Sequence, residues 1–299
     1  MSIDVGSPAQ SRVRIGTVNY LQENLNSWQQ FVDKIGYWVN LASDYGCQFI
    51  CLPEFLTLQL LSLEPTPLRG RSAVERLAVR NDELHLLLQN LAQASRIHIV
   101  GGSHLRLDKD GRCFNTTTVY LADGRCFQQD KIHPTPSERS AWDVQGGTRL
   151  DAIVTPHGTI GVLICYDSEF PELARRLVDQ GVQILFVPFC TDDRQGYLRV
   201  RYCSQARAIE NQCYVVLSGH VGQLRGVPNM DSQYGQSCIL TPCDFGFARD
   251  GIAAEATVNV ESLIVAELQL AELNRARTLG TVRNLDDRRR DLYSVQWQT

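Results

Sequence analysis

Glu54, Lys131 and Cys165 each stand at the end of a strand-like stretch, and together they supply a carboxylate, an ammonium and a thiol. The cysteine has the most informative surroundings. Ile160-Gly161-Val162-Leu163-Ile164 leads into Cys165-Tyr166-Asp167-Ser168-Glu169-Phe170-Pro171-Glu172. Gly161 to Ile164 reads as a buried strand with Cys165 as its last residue, because an apolar run of β-branched residues suits a strand covered on both faces. Pro171 is tolerated in the first turn of a following helix, and the acidic residues around it suit that helix's positive end. A cysteine on such a strand-to-helix turn meets backbone N–H groups and a helix dipole that favour a thiolate or an oxyanion. Taken singly, each of the three has a plainer reading: a buried core thiol, a turn-capping glutamate, a solvated strand-end lysine. Ends of neighbouring strands in an α/β sheet are where ligands bind, so three such residues suggest one site.

The elements that must position them follow from periodicity. Val13 to Val18 reads as a first strand. Leu25 to Ala42 carries a helical apolar stripe, and Phe49 to Leu52 is a second strand running into Pro53-Glu54. Residues 56–70 read as irregular, 74–95 as one long helix, and 97–102, 113–121 and 125–130 as strands separated by Asp-Gly turns. The stretch 131–138, with Pro134 and Pro136, reads as a loop. Residues 150–155 and 159–164 form a hairpin that delivers Cys165. A helix at 172–180, a strand at 183–189, a helix at 197–211 and a strand at 214–218 continue the mixed pattern. A long loop is expected at 219–235, closing strands at 237–241, 256–260 and 264–268, and a surface or interface arm at 274–299. Residues 1–11 read as a polar tail, and 12–273 as one α/β domain in which two mixed sheets pack face to face with helices outside.

Composition narrows the function classes. With 299 residues, 43% of them hydrophobic, the chain can bury a large core. Twenty-nine basic against 33 acidic residues give a net charge of −4. Without a long basic block, nucleic acid is not the expected partner. No stretch approaches the roughly 18 apolar residues of a membrane span, and the first eleven residues lack a signal-peptide core. No membrane association is expected, and the compartment expected is the cytosol. The ten cysteines form no Cys-x-x-Cys pair, so most read as small buried hydrophobes rather than zinc ligands.

Leu52-Pro53-Glu54-Phe55, Asp130-Lys131-Ile132-His133 and Ile164-Cys165-Tyr166-Asp167-Ser168-Glu169-Phe170-Pro171-Glu172 stand in the order of the glutamate, lysine and cysteine signatures of the nitrilase superfamily. Ala206-Arg207-Ala208-Ile209-Glu210-Asn211, Tyr234-Gly235-Gln236-Ser237 and Asp291-Leu292-Tyr293 add secondary matches, so the chain resembles these carbon-nitrogen hydrolases over roughly residues 12–293. The resemblance implies a four-layer αββα sandwich and a Cys-Glu-Lys mechanism. Glu54 then serves as general base to Cys165 and later protonates the leaving ammonia or amine. Lys131 and the Tyr166 backbone N–H stabilise the tetrahedral oxyanion, and a thioester on Cys165 is hydrolysed by water that Glu54 activates. Neither metal nor organic cofactor is needed. Glu138 is implied as a fourth member, holding Lys131 or orienting substrate, and His133 as structural.

Asp167 and Glu172 are read as biasing the helix start, while Asp192 and Asp193 after a strand end are candidate binders of a cationic substrate. Tyr166-Asp167 resembles amidase-like branches, whereas nitrile-cleaving members typically carry Trp-Glu there. The leading expectation is hydrolysis of a small linear amide or carbamoyl compound by a homo-oligomer. Nitrile hydrolysis, acyl transfer, and a catalytically silent binding protein are the alternatives.

Overall fold

The computed structural model describes residues 12–298, so the expected tail at 1–11 lies outside the described residues. β1 (Arg12–Gln22) is followed by α1 (Trp28–Asp44), where the Ser27 side chain accepts a hydrogen bond from the Gln30 N–H. A cap of this kind satisfies a donor that the helix start leaves free. Phe31, Ile35, Trp38, Val39 and Ala42 are its buried stripe, and β2 (Phe49–Leu52) is buried at every position.

The segment expected to be irregular contains a 3₁₀ turn, Leu58–Leu63, and the long helix expected at 74–95 is two helices, α2 (Gly70–Ala78) and α3 (Asn81–Ala94). Leu77, Leu84 and Leu88 are all buried, so the apolar stripe carries across the break and hides it from periodicity. β3 (His98–Gly101), β4 (His104–Leu107), β5 (Cys113–Tyr120) and β6 (Cys126–Asp130) follow. The four-residue β4 is too short to show alternation.

The stretch expected to be a loop at 131–138 is a loop only in its first half. From Pro136 it is α4 (Pro136–Trp142), in which the proline occupies the first turn where its missing N–H costs nothing. The hairpin of β7 (Ile153–Thr155) and β8 (Gly158–Val162) ends two residues earlier than expected. Cys165 therefore opens a 3₁₀ turn, Cys165–Glu169, instead of closing a strand.

α5 (Pro171–Asp179), β9 (Ile184–Phe189), α6 (Arg194–Asn211) and β10 (Tyr214–Gly222) continue the chain, and β10 takes in the start of the long loop expected at 219–235. β11 (Cys238–Leu240), β12 (Ile252–Glu255), β13 (Ser262–Gln269) and α7 (Leu270–Leu279) complete it. The strand expected at 256–260 is a turn, with Asn259 at a φ of 58° and the Val260 N–H bonded to the Thr257 carbonyl. α7 crosses the residue at which the arm was expected to begin, and buries Leu273 and Ala276.

The thirteen strands among the described residues are joined by continuous ladders in the order β4-β5-β3-β2-β1-β10-β9-β8-β7; of the expected two mixed sheets packed face to face, the structure shows the mixed α/β part as one curled sheet. β6 pairs with β5, β13 with β1, and β11 connects β10 to β12. The curl originates in β1, which pairs with β2 at residues 15–17 and with β10 at residues 19–22. Where those partners diverge, side chains complete the bonding. The Thr17 hydroxyl donates to the Leu217 carbonyl at 2.8 Å, and Ser218 reaches the carbonyls of Val18 and Cys51 at 2.9 and 3.0 Å. Phe49 of β2 consequently lies 5.5 Å from Phe186 of β9, ring to ring, across the curl. A second core packs Phe31, Ile35 and Val39 of α1 with Leu84 and Leu88 of α3. α5 approaches β8 so closely that a Cβ on Gly161 would sit 2.8 Å from Leu177, which is why this strand position is glycine. The fold is mixed α/β, a curled sheet with helices on it. It brings the C-terminal ends of β2, β6 and β8 towards one cleft.

Candidate active site

Glu54 sits two residues beyond β2, and its backbone is held from both sides. The Phe55 N–H donates to Ser103 Oγ at 2.9 Å, the Ser103 N–H to the Pro53 carbonyl at 3.2 Å, and the Leu56 N–H to the Ser103 carbonyl at 3.0 Å. His220 Nε2 donates to the Glu54 carbonyl at 2.6 Å. The turn that brings Ser103 in requires Gly102, whose φ is 65° and whose Cβ, if present, would lie 2.1 Å from the Pro53 carbonyl oxygen.

Lys131 follows β6 with its N–H bonded to the Asn115 carbonyl of β5 at 2.8 Å. Its side chain is only 1% exposed and lies between two carboxylates. Nζ donates to Glu54 Oε1 at 2.8 Å and to Glu138 Oε2 at 2.7 Å. Glu138 is carried by α4 in a capping box, where the Thr135 N–H donates to Glu138 Oε2 at 2.7 Å and the Glu138 N–H to Thr135 Oγ1 at 3.2 Å. One oxygen of Glu138 thus starts the helix and holds the lysine.

Cys165 stands at a φ of 47°, a left-handed conformation that costs a non-glycine residue on the order of 1–3 kcal/mol. The Ser168 hydroxyl donates to the Cys165 carbonyl at 2.7 Å, and Arg207 of α6 donates through Nε to the Ser168 carbonyl at 3.0 Å. The thiol is 3.9 Å from the Cys190 carbonyl oxygen at the end of β9.

Burial pushes the Glu54 carboxyl up to about 7, a rise that Glu138 assists and that the Lys131 ammonium and hydrogen bonds from Lys131 and Cys165 oppose. The Cys165 thiol is raised well above its ordinary value, chiefly by burial and then by Glu54, with Lys131 opposing. Lys131 is raised well above its ordinary value because its two carboxylates outweigh burial. Glu138 is lowered: burial works against its ionisation, but Lys131 beside it prevails. At neutral pH the cluster therefore holds an ammonium, one firmly ionised carboxylate, one carboxyl poised to accept or release a proton, and a protonated thiol next to it. A group that titrates near its working pH is best suited to proton transfer.

Two residues that sequence reasoning missed or misassigned hold the cluster together. Asn115 donates through Nδ2 to Glu54 Oε1 at 2.9 Å and to Glu138 Oε1 at 2.8 Å. Asp167, read from sequence as biasing a helix start, instead joins the lysine loop to the cysteine turn. Its carboxylate accepts from the Ile132 N–H at 3.0 Å and the His133 N–H at 2.8 Å. The His133 ring stacks on Phe170 at 3.7 Å, with Nδ1 3.1 Å from Asp167.

The cleft above the cluster has a volume of about 940 Å³; Glu54, Lys131, Glu138, Cys165 and Tyr166 line it together with Asp192, Asp193, Arg199 and Asp231. The two candidate substrate carboxylates separate here. Both are exposed, but Asp193 caps α6 by accepting from the Gly196 N–H at 2.7 Å, whereas Asp192 caps no helix. Among the described residues no cluster of three or more histidine, cysteine or acidic side chains could hold a metal ion.

A mixed α/β fold with a curled sheet and a buried Glu-Lys-Glu cluster beside a cysteine that opens a 3₁₀ turn defines the class, the nitrilase superfamily. The chain belongs to the carbon-nitrogen hydrolase family, whose profile matches residues 10–278. It is 45% identical over 289 residues to the "Probable hydrolase YhcX" of Bacillus subtilis, covering 96% of this chain but 55% of that protein. The chain thus spans about half the length of that relative. The omega-amidase NIT3 of Saccharomyces cerevisiae is 31% identical over 216 residues, covering 69% of this chain and 70% of that one. The crystal structure of an amidase from Nesterenkonia sp. has the same fold, with a TM-score of 0.73 at 21% identity over 94% of each chain.

Proposed function

We propose that the chain is a thiol amidohydrolase that cleaves the C–N bond of a small linear amide or carbamoyl compound through a thioester on Cys165. The observation that carries this reading is the placement of Lys131 between Glu54 and Glu138, with Cys165 in the same cleft. Sulfur attacks the carbonyl carbon as the thiol proton passes to Glu54. Lys131 and the Tyr166 N–H take the charge that develops on oxygen. When the C–N bond breaks, Glu54 returns the proton to the departing nitrogen. Water then adds to the thioester and gives its proton to Glu54. The C–S bond breaks, the acid leaves, and Cys165 recovers its proton.

The omega-amidase and amidase names among the relatives favour amides over nitriles. We read the curled sheet with helices on it as the four-layer αββα sandwich, and 12–273 as its domain with 274–299 as an arm. Assembly as a homo-oligomer in the cytosol, without nucleic acid or membrane as partner, belongs to the same reading. No helix among the described residues is long and apolar enough to cross a membrane. Asp192 at the mouth would receive a cationic end of the substrate, while Asp193 serves as a helix cap.

The test is a screen of linear amides and carbamoyl compounds for release of ammonia or amine, with Cys165→Ala as control. The reading requires at least one substrate turned over by the wild type and none of that turnover in the variant. Equal turnover by Cys165→Ala would overturn it.

A further inference from the structure

We infer that Asn115 is a positioning residue for this centre, one that sets the pH at which Glu54 becomes a base; the inference rests on the catalytic reading of Glu54. Asn115 is fully buried at the third position of β5 and touches all three charged members of the cluster. Its backbone carbonyl accepts the Lys131 N–H at 2.8 Å. Its side-chain amide gives one hydrogen to Glu54 Oε1 at 2.9 Å and the other to Glu138 Oε1 at 2.8 Å.

The orientation of that amide follows from chemistry. Both neighbours are carboxylate oxygens, so the NH₂ end must face them, which leaves Asn115 Oδ1 buried with no partner in the structure. A buried carbonyl without a partner costs free energy. Threonine or valine would suit a central strand without that cost, so the geometry points to a requirement for two donors at this spot. A hydrogen bond to the ionised form of an acid lowers its pKa. The same amide already lowers Glu138, and by its 2.9 Å hydrogen bond to Glu54 Oε1 it acts against the burial that raises that carboxyl. Because it is neutral, it does so more gently than Lys131, and a second cation here would hold Glu54 as a permanently weak base. Tied also to Glu138, the same amide keeps the two carboxylates on either side of Nζ instead of letting both turn away.

The experiment follows the pH dependence of Cys165 alkylation by iodoacetamide, quantified on the Cys165 peptide by mass spectrometry. It is run with wild type, Asn115→Ala and Asn115→Ser, with thermal unfolding of each as a control for folding. This readout needs no substrate, so a failed amide screen would not affect it. Wild type is expected to show an acidic limb near pH 7, and both variants a limb displaced upward by about half to one pH unit, with alkylation below the limb slowed about three- to tenfold. Asn115→Ser keeps one hydroxyl donor and is expected between the other two proteins. Limbs that coincide in all three proteins, whatever the loss of amplitude or stability, would overturn the inference. If Asn115→Ala does not fold, Asn115→Ser alone decides it by the same criterion. The catalytic reading fails separately: a wild-type limb that follows an ordinary thiol, with no step near 7, would remove Glu54 as the base.

Discussion

Glu54 carries the least ordinary chemistry in the molecule, a carboxyl whose ionisation is moved to about pH 7 mainly by burial. If Glu54 is the base, as proposed, its deprotonated form is the active one and activity rises as pH increases through about 7. The thiol is raised in the same surroundings, so on this proposal it gives its proton to Glu54. On the amide found by screening, kcat/KM should accordingly climb through a single acidic limb near pH 7. Glu54→Gln should lower kcat by about 10²–10⁴-fold, the usual contribution of a positioned acid or base. A variant that kept more than a tenth of the wild-type rate would place the base elsewhere. Glu54, Lys131 and Cys165 were legible because Leu52-Pro53-Glu54-Phe55, Asp130-Lys131-Ile132-His133 and Ile164-Cys165-Tyr166-Asp167 resemble the family's signatures, whereas their places after strand-like stretches were by themselves only suggestive. Asn115 was not, since a lone amide within Cys113–Tyr120 reads as one more residue of a strand's polar face. Only the fold shows that this position faces two carboxylates.

At the level of elements, two short connections decide whether the cluster forms. α4 supplies Glu138, and its start was not read from sequence: Pro134 and Pro136 suggest a loop over 131–138, whereas Thr135 and Glu138 form a capping box with Pro136 in the first turn. The second connection was not legible either, because Asp167 lies 34 residues from His133 and next to a helix start that explains an acidic residue equally well. β4, α7 and the break between α2 and α3 escaped for a related reason. Short or phase-continuous elements leave no period to detect.

Asp167 offers a direct test of this level. Asp167→Ala leaves the Ile132 and His133 N–H groups without their acceptor and frees the lysine loop from the cysteine turn. An unpaired buried donor costs about 1–3 kcal/mol, and these two are only partly buried, so a total loss of roughly 1–3 kcal/mol in unfolding free energy is expected by denaturant titration. Activity should fall about tenfold or more under conditions where the variant remains folded, because in the proposed mechanism a small displacement of Lys131 misplaces its contact with the oxyanion. Unchanged stability and turnover would mean that other contacts align the two segments.

Across the whole molecule, the buried histidines tie stability to pH. Burial lowers His98 and His104 to about 4 and His220 to about 3. They hold different regions of the fold: His98 accepts the Ala122 N–H at 3.0 Å and its ring lies 5.3 Å from that of His157, His104 pairs with Thr57 at 2.7 Å, and His220 supports the Glu54 carbonyl. The folded chain keeps these rings neutral, whereas the unfolded chain protonates them below about 6.5, so their contribution is complete above that pH and is lost as pH falls towards 4. Glu54 acts in the opposite direction. Its raised carboxyl favours the folded state below about 4.5, and that advantage is lost as pH rises to about 7. Between pH 7 and 5.5 three histidines each cost up to about 1.4 kcal/mol, while Glu54 returns up to about 2, leaving a net loss on the order of 2 kcal/mol. The unfolding midpoint should therefore drop by several degrees over that interval, and Glu54→Gln, which removes the opposing term, should make the drop steeper. A midpoint that rose on acidification would mean that the carboxyl outweighs the histidines, and would identify the active-site cluster as the main link between pH and stability.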